Sequence, residues 1–264
     1  LFDFSLTQFE LAGYDLAWST RDLHAMNPDE IQSDYEEFLT AKGASILGVP
    51  FSYRVDLGYV PGAFTVTQAY VQVAGIRYLG DFRLGQFTPP VGLQMITSSW
   101  DIGFMEPAAP LQALAPASQP GAQLHDTFLE RRGTWTVGAY AGLGSRGEYG
   151  SGSKSFGNLM GRLTWLAVDH AADTRPADNR YLHLGFSANL QASPGGSLRY
   201  RSRPESFNAP YVVDTGDIDA SSARGLGVEG LWVNGSLSAQ GELISSQVGS
   251  DADGTLHFFG GYAQ

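Results

Sequence analysis

The chain has 264 residues, with 27 Asp or Glu against 16 Lys or Arg, so its formal net charge is −11 at pH 7. This acidic balance excludes a nucleic-acid binder, because such proteins need a basic face to meet the phosphate backbone. Cysteine is absent, which excludes disulfides, thiolate nucleophiles and Cys-ligated metals.

Apolar and polar residues alternate with period two along most of the chain, and this alternation predicts β-strands whose two faces differ in polarity. No apolar run reaches the 18 residues that a transmembrane helix needs. About twelve strands are predicted, many of ten residues or more, which is the length that a tilted strand needs to cross a bilayer. Their approximate bounds are 4–18, 33–47, 51–60, 64–77, 81–88, 123–130, 134–143, 157–167, 180–191, 222–233, 236–248 and 256–264.

The connections between these strands alternate in length. Short turns are predicted at residues 48–50, 78–81, 131–133 and 234–235, the last being an Asn-Gly pair typical of a hairpin. Longer loops are predicted at 19–32, 89–122, 144–156, 192–221 and 249–255, with exceptions at 61–63 and 169–179. Short turns on one side and long loops on the other are typical of bacterial outer-membrane barrels.

The composition of the second strand face favours a barrel over a soluble β-sandwich. A sandwich exposes its polar face to water and usually carries many Lys and Glu there. Here that face holds Ser, Thr, Gly, Asn, Gln and scattered Arg, and the only lysines are Lys42 and Lys154. This composition suits a water-filled lumen, while a soluble sandwich that binds glycans through surface aromatics stays open as an alternative.

Three stretches of sequence, in this order, resemble the phosphate-selective porins O and P of Gram-negative bacteria. The first is FRLGQFTPP at residues 82–90, followed by Thr-Ser-Ser at 97–99 and Phe-Met-Glu at 104–106. The second is LRYRSRPESFNAPYVVDTGD at 198–217. The third, at 225–243, contains a Gly-x-Glu-Gly-Leu-Trp-Val segment, the Asn-Gly turn and a Gln-Gly-Glu segment.

The resemblance implies an all-β fold, an antiparallel transmembrane β-barrel of 16 strands in the complete protein, and usually a homotrimer. It implies one porin domain over residues 1–264 and a constriction loop, about 89–122, folded into the pore. We expect the chain to be a processed product that continues past Gln264, because a barrel left open in lipid would leave backbone groups unpaired.

The resemblance also indicates which residues meet the solute. Alternate arginines at 199, 201 and 203 would form a ladder of positive charge along an extended chain. The candidate pore-lining arginines are Arg199, Arg201, Arg203, Arg83 and Arg162, and the candidate constriction residues are Thr97, Ser98, Ser99, Phe104, Met105 and Glu106. Pro107 after Glu106 and the scarcity of lysine depart from the family pattern and weaken the case for high phosphate selectivity.

The expected function is passive diffusion of small anionic or neutral solutes across the bacterial outer membrane, with a preference for anions and phosphate as one candidate. The expected partners are membrane lipid and further copies of the chain, with no nucleic acid. No metal ligand is predicted, because the five histidines show no metal-binding spacing. No catalytic residue is predicted, because Ser98 and Ser99 have no evident base partner. No cofactor is predicted, because the G-x-G-x-x-G matches at 142–147 and 225–230 precede no helix. A structural barrel with an incidental pore is a further alternative.

Overall fold

The computed structural model describes residues 45–46, 49–60, 63–97, 102–103, 106–141, 152–153, 157–170, 180–204 and 209–264. The strand predicted at 4–18 therefore lies outside the described residues, and so does the strand predicted at 33–47 except for residues 45 and 46. Among the described helices, none has the length and apolar character to cross a membrane.

The described elements are almost all strands, as the alternation predicts. They are β1 Ser45–Ile46, β2 Val49–Val60, β3 Ala63–Ile76, β4 Gly80–Phe87, α1 Leu93–Ile96, α2 Ala109–Leu114, β5 Gln119–Phe128, β6 Gly133–Tyr140, β7 Gly152–Ser153, β8 Gly157–His170, β9 Arg180–Arg199, β10 Arg201–Ser202, β11 Val213–Asp214, β12 Ile218–Asn234, β13 Leu237–Ser250 and β14 Gly254–Ala263. The ten strands predicted from residue 51 onward each correspond to one of these elements. The largest differences are β9 and β12, which extend into the predicted 192–221 loop.

The chain divides into two compact units, Leu1–Phe87 and Thr88–Gln264. In the described part of the first unit, β2 pairs with β3 and β3 pairs with β4, both antiparallel. Val71 and Leu84 are exposed and lie opposite each other in the β3–β4 ladder. Gln72 and Arg83 are the next pair, so they lie on the other face.

The second unit contains an antiparallel sheet in the order β5, β6, β8, β9, β12, β13 and β14. Each strand pairs with its neighbour over most of its length, and the β9–β12 ladder runs from Leu198–Ile218 to Arg180–Asn234. Such long, regular pairing follows from the unbroken alternation, because a slip of one residue would move every apolar side chain to the opposite face.

One face of the second unit's sheet is apolar and exposed. Leu163, Phe186, Val228 and Leu243 are direct cross-strand partners from β8 to β13 and form a continuous apolar row. Each of them is exposed, as are further apolar residues of the same strands: Leu159, Trp165, Leu184, Leu190, Leu226, Trp232 and Leu237. An exposed apolar surface of this extent is what a barrel presents to hydrocarbon.

The opposite face of the same strands is polar and mostly covered. Thr164, Gly185, Glu229, Glu242 and Tyr262 are successive cross-strand partners from β8 to β14. Thr164, Glu229 and Glu242 are all buried. This distribution is the reverse of a soluble sandwich, whose buried face is apolar.

Candidate functional site

A segment with two short helices lies against the polar face and is held there by Glu242. The Glu242 carboxylate accepts hydrogen bonds from the backbone N–H groups of Leu93, at 2.6 Å, and Gln94, at 2.9 Å, at the start of α1. The Tyr262 hydroxyl donates a third bond to it, at 2.6 Å. Gly92 permits this approach, because it has φ +82 and a Cβ there would come within 3.3 Å of the carboxylate. One buried side chain of the sheet thus anchors the segment.

Two glutamines connect the parts of this segment to each other. Gln94 accepts a hydrogen bond from the backbone N–H of Ala108, just before α2, at 2.8 Å. Gln112, on α2, donates to the Pro107 carbonyl at 2.7 Å and accepts from the Arg203 backbone N–H at 3.4 Å. Both side chains are buried. The anchor at Glu242 is therefore linked through α1 and α2 to the chain that follows β9.

A second polar cluster lies on the sheet beside this anchor. Arg162 contacts Glu229 through two guanidinium nitrogens, and its Nε lies 3.3 Å from Glu229 Oε2. The His183 Nε2 lies 2.8 Å from Glu229 Oε1. Side-chain exposure is 3% for Glu229, 10% for Arg162 and 20% for His183. The carboxylate thus neutralises an arginine on the polar face.

An irregularity in the β9–β12 ladder exchanges the two faces of β9. The register shifts between Ala220 and Ser222 of β12. Before the shift, the odd-numbered Ser187 is buried; beyond it, the even-numbered Leu198 and Tyr200 are buried instead. Leu198 and Tyr200 join an apolar cluster of buried residues that also includes Ile218, Ala220, Ala223 and Val248.

The arginines at 199, 201 and 203 alternate with these buried residues and so lie on the other side of the chain. The extended run is interrupted after Arg199, and Arg201 belongs to a separate two-stranded ribbon, β10–β11. Arg201 and Arg203 share one aromatic partner, since their guanidinium carbons lie 4.5 Å and 4.6 Å from the Tyr211 ring centre. Their assignment as pore-lining residues stays a prediction.

Arg199, the last residue of β9, has an acidic partner, Asp214, in the β10–β11 ribbon. Its Nε and Nη2 donate to the two Asp214 carboxylate oxygens, at 2.7 Å and 2.6 Å. The hydrogen bond from Arg199, followed by one from the Gly216 backbone, lowers the pKa of Asp214 from 3.8 to about 2. The pair contributes stability above pH 3.8 and loses it as the pH falls through about 2, because protonated Asp214 no longer carries the charge that Arg199 binds.

Replacing Arg199 with glutamine should therefore return the pKa of Asp214 most of the way to 3.8, and the Gly216 N–H should hold back the rest. The measurement is the pH midpoint of the Asp214 carboxyl ¹³C shift by NMR in detergent micelles. Arg199→Lys is the control, since it keeps the charge and should keep part of the depression. Identical midpoints in the wild type and both variants would contradict the ion pair.

Comparison with known protein families shows which family this chain belongs to. A model of the family described as phosphate-selective porin O and P matches residues 38–264 of the chain. The chain belongs to this family. A search of curated proteins finds no match. Membership makes this an outer-membrane porin with an all-β, antiparallel barrel fold, and the family is one of channels rather than of enzymes.

The porin's remaining predicted residues lie in different places. Arg83 bonds the Gln72 side chain at 3.1 Å and 2.9 Å and lies over the Tyr70 ring, at 4.3 Å from its centre. Thr97 directly follows the last residue of α1, and its hydroxyl donates a hydrogen bond to the Leu93 carbonyl. Glu106 is buried, with Gln112 Nε2 at 3.5 Å. Ser98, Ser99, Phe104 and Met105 lie outside the described residues.

Sequence reasoning assigns no role to several residues that organise the porin's polar face: Glu229, Glu242, His183, Gln94, Gln112 and Tyr211. Tyr262 is expected among the aromatic residues of a girdle near the strand ends, but in the structure its hydroxyl donates to Glu242 on the polar face. Glu229 and Glu242 belong to motifs that carry the family resemblance, but these motifs by themselves indicate no function for them. The signal that could have found them is a charged residue in the polar register of a long strand, where burial makes an unpaired charge costly. Within the described part of the chain, no three His, Cys, Asp or Glu residues group as metal ligands.

Proposed function

We propose that this porin lets small hydrophilic solutes diffuse passively across the outer membrane, with a preference for anions. The observation that carries the proposal is the division of the long strands into an exposed apolar face and a covered polar face. In a barrel the first face meets lipid and the second meets the aqueous lumen. The segment anchored by Glu242 lies on the polar side, so in this proposal it narrows the pore and forms the constriction expected at 89–122. In the structure, β5 begins within that range, at Gln119.

Arginine supports the anion preference at three places. Arg162 lies on the polar face of β8, and Arg83, next to exposed Leu84 in the chain, lies on the other face of β4 in the first unit. Arg201 and Arg203 concentrate two guanidinium groups around Tyr211, while Arg199 engages the nearest carboxylate, Asp214. Guanidinium groups suit phosphate and carboxylate, because they offer planar donors of fixed geometry. Phosphate is therefore the anion to test first, in line with the description of the family.

The test replaces Arg199, Arg201 and Arg203 with glutamine and measures the reversal potential of single channels in a potassium chloride gradient. We expect a shift toward cations, because three positive charges are removed from the segment that follows β9. Arg224→Gln is the matched control: Arg224 lies two residues from Leu226 on the exposed face, so its loss should leave the potential unchanged. A triple variant that behaves as the wild type would remove these arginines from the selectivity of the channel.

Two further parts of the proposal have direct measurements. The native assembly is proposed to be a homotrimer in the outer membrane, which light scattering in detergent and membrane fractionation would test.

Phosphate preference should appear as a phosphate-dependent block of the chloride current. A conductance too small for metabolites would instead indicate a structural barrel whose pore is incidental.

A further inference from the structure

We propose that Glu229 is a selectivity-determining residue that limits the anion preference of the channel by neutralising Arg162. The inference rests on the proposed function, because it concerns ions passing along the polar face. Glu229 receives both Arg162 and His183 on one carboxylate. Removing its charge would leave Arg162 and His183 without the carboxylate that both of them contact.

Glu229 lies beside the segment that narrows the pore in the proposed function. Its direct cross-strand partner on β13 is Glu242, which anchors the segment carrying α1 and α2. Glu229 and Glu242 line the same gap between sheet and segment, together with Gly92 and Leu111. In the proposed function, an ion that passes this segment along the polar face passes near the Glu229 cluster, which borders this closed contact.

The neighbouring carboxylate of Glu242 does not substitute for that of Glu229. The carboxylate of Glu242 is occupied by two backbone N–H groups and the Tyr262 hydroxyl. Arg162 is only 10% exposed at its side chain, so its charge is poorly screened by water. The sign of the electrostatic potential beside this cluster thus depends on the negative charge of Glu229, which offsets the positive charge of Arg162. His183, at 20% exposure, is the member of the cluster that reaches most accessible space.

The experiment measures the anion-to-cation permeability ratio of the full chain, reconstituted in planar bilayers with potassium chloride, for a cycle of charge-removing variants. Glu229→Gln keeps the shape and an acceptor for Arg162. It should raise the ratio up to about 25-fold, because a unit charge about 4 Å away in water changes the population of an anion and of a cation about fivefold each, in opposite directions. Arg162→Gln should lower the ratio by a similar factor. The double variant Arg162→Gln with Glu229→Gln should return it to near the wild-type value.

Asp169→Asn is the matched control, since it removes an exposed carboxylate at the end of β8, away from this cluster. A purely structural role for Glu229 would change folding without changing the ratio, so an unchanged ratio in an inserted Glu229→Gln channel overturns the proposal. If this variant does not insert, Arg162→Gln decides instead, and an unchanged ratio there overturns it as well.

Failure of the proposed function gives a different result. A wild-type protein that forms no channel, or one without anion preference, would refute the proposed function. The inference about Glu229 concerns the difference between variants and can be measured in any conducting channel, whichever ion the wild type prefers.

Discussion

Leu243→Arg should make folding into a bilayer less favourable by about 2–4 kcal/mol, the cost of an arginine on the lipid face near the midplane of a barrel. Leu243 lies in the middle of β13 and is 64% exposed, on the apolar face beside Val228. The measurement is urea-dependent folding into lipid vesicles. In water the same substitution on an exposed leucine would be almost without effect.

Leu237→Arg provides a closely matched control. Leu237 is in the same strand, faces the same side and is also 64% exposed, but it is the first residue after the turn. Near the interface an arginine costs only about 0–1 kcal/mol, because its guanidinium group reaches the polar headgroups. Equal effects at the two positions would contradict the assignment of this face to the membrane.

Glu242→Gln should lower the free energy of unfolding by about 1.5–3 kcal/mol, because hydrogen bonds to a charged acceptor are lost in a buried place. Glutamine can accept from one of the two backbone N–H groups, of Leu93 or Gln94, but its amide nitrogen cannot accept from the other. The loosened segment should also make single-channel current noisier. Both effects are measurable on one preparation, by folding into vesicles and by recording in planar bilayers.

Tyr262→Phe separates the anchor from the general stability of the cluster. It removes the hydroxyl that donates to Glu242 but keeps both backbone hydrogen bonds to α1. We expect a smaller loss, about 0.5–1.5 kcal/mol, and current noise close to that of the wild type. A Tyr262→Phe channel as noisy as Glu242→Gln would show that the bonds to α1 do not hold the segment in place.

The arginines show how far the sequence could predict the candidate site. The spacing of 199, 201 and 203 predicts a ladder along one extended strand, but the strand is interrupted after Arg199, and the role of these arginines stays a prediction. The alternation predicts that Arg162 lies on the polar face. Their partners could not be predicted, because Asp214 and Glu229 reach Arg199 and Arg162 only through pairing with distant segments. The irregularity between Ala220 and Ser222, which exchanges the faces of β9, also leaves no clear signal in the alternation.

The hairpin after β12 shows the same limit in a single turn. The Asn-Gly pair predicts a turn with Asn234 and Gly235 at its centre, which would place Glu229 opposite Gln240. In the structure Asn234 pairs with Leu237, Gly235 has φ +63, and Glu229 lies opposite Glu242. The register moves by two residues, so each side chain keeps its predicted face but has a different partner.

By itself the sequence determined the ten strands from residue 51 onward, the apolar face shared by β8, β9, β12 and β13, and the family, because alternation of polarity is a local property and any stable sheet must respect it. Only the tertiary structure decided which charges neutralise one another and where the segment with α1 and α2 is held. These depend on a register shift and on bonds such as Leu93 to Glu242, which join residues far apart in the chain. Several registers of strand pairing would satisfy the same alternation with similar local energies, so contacts between distant residues had to select among these registers.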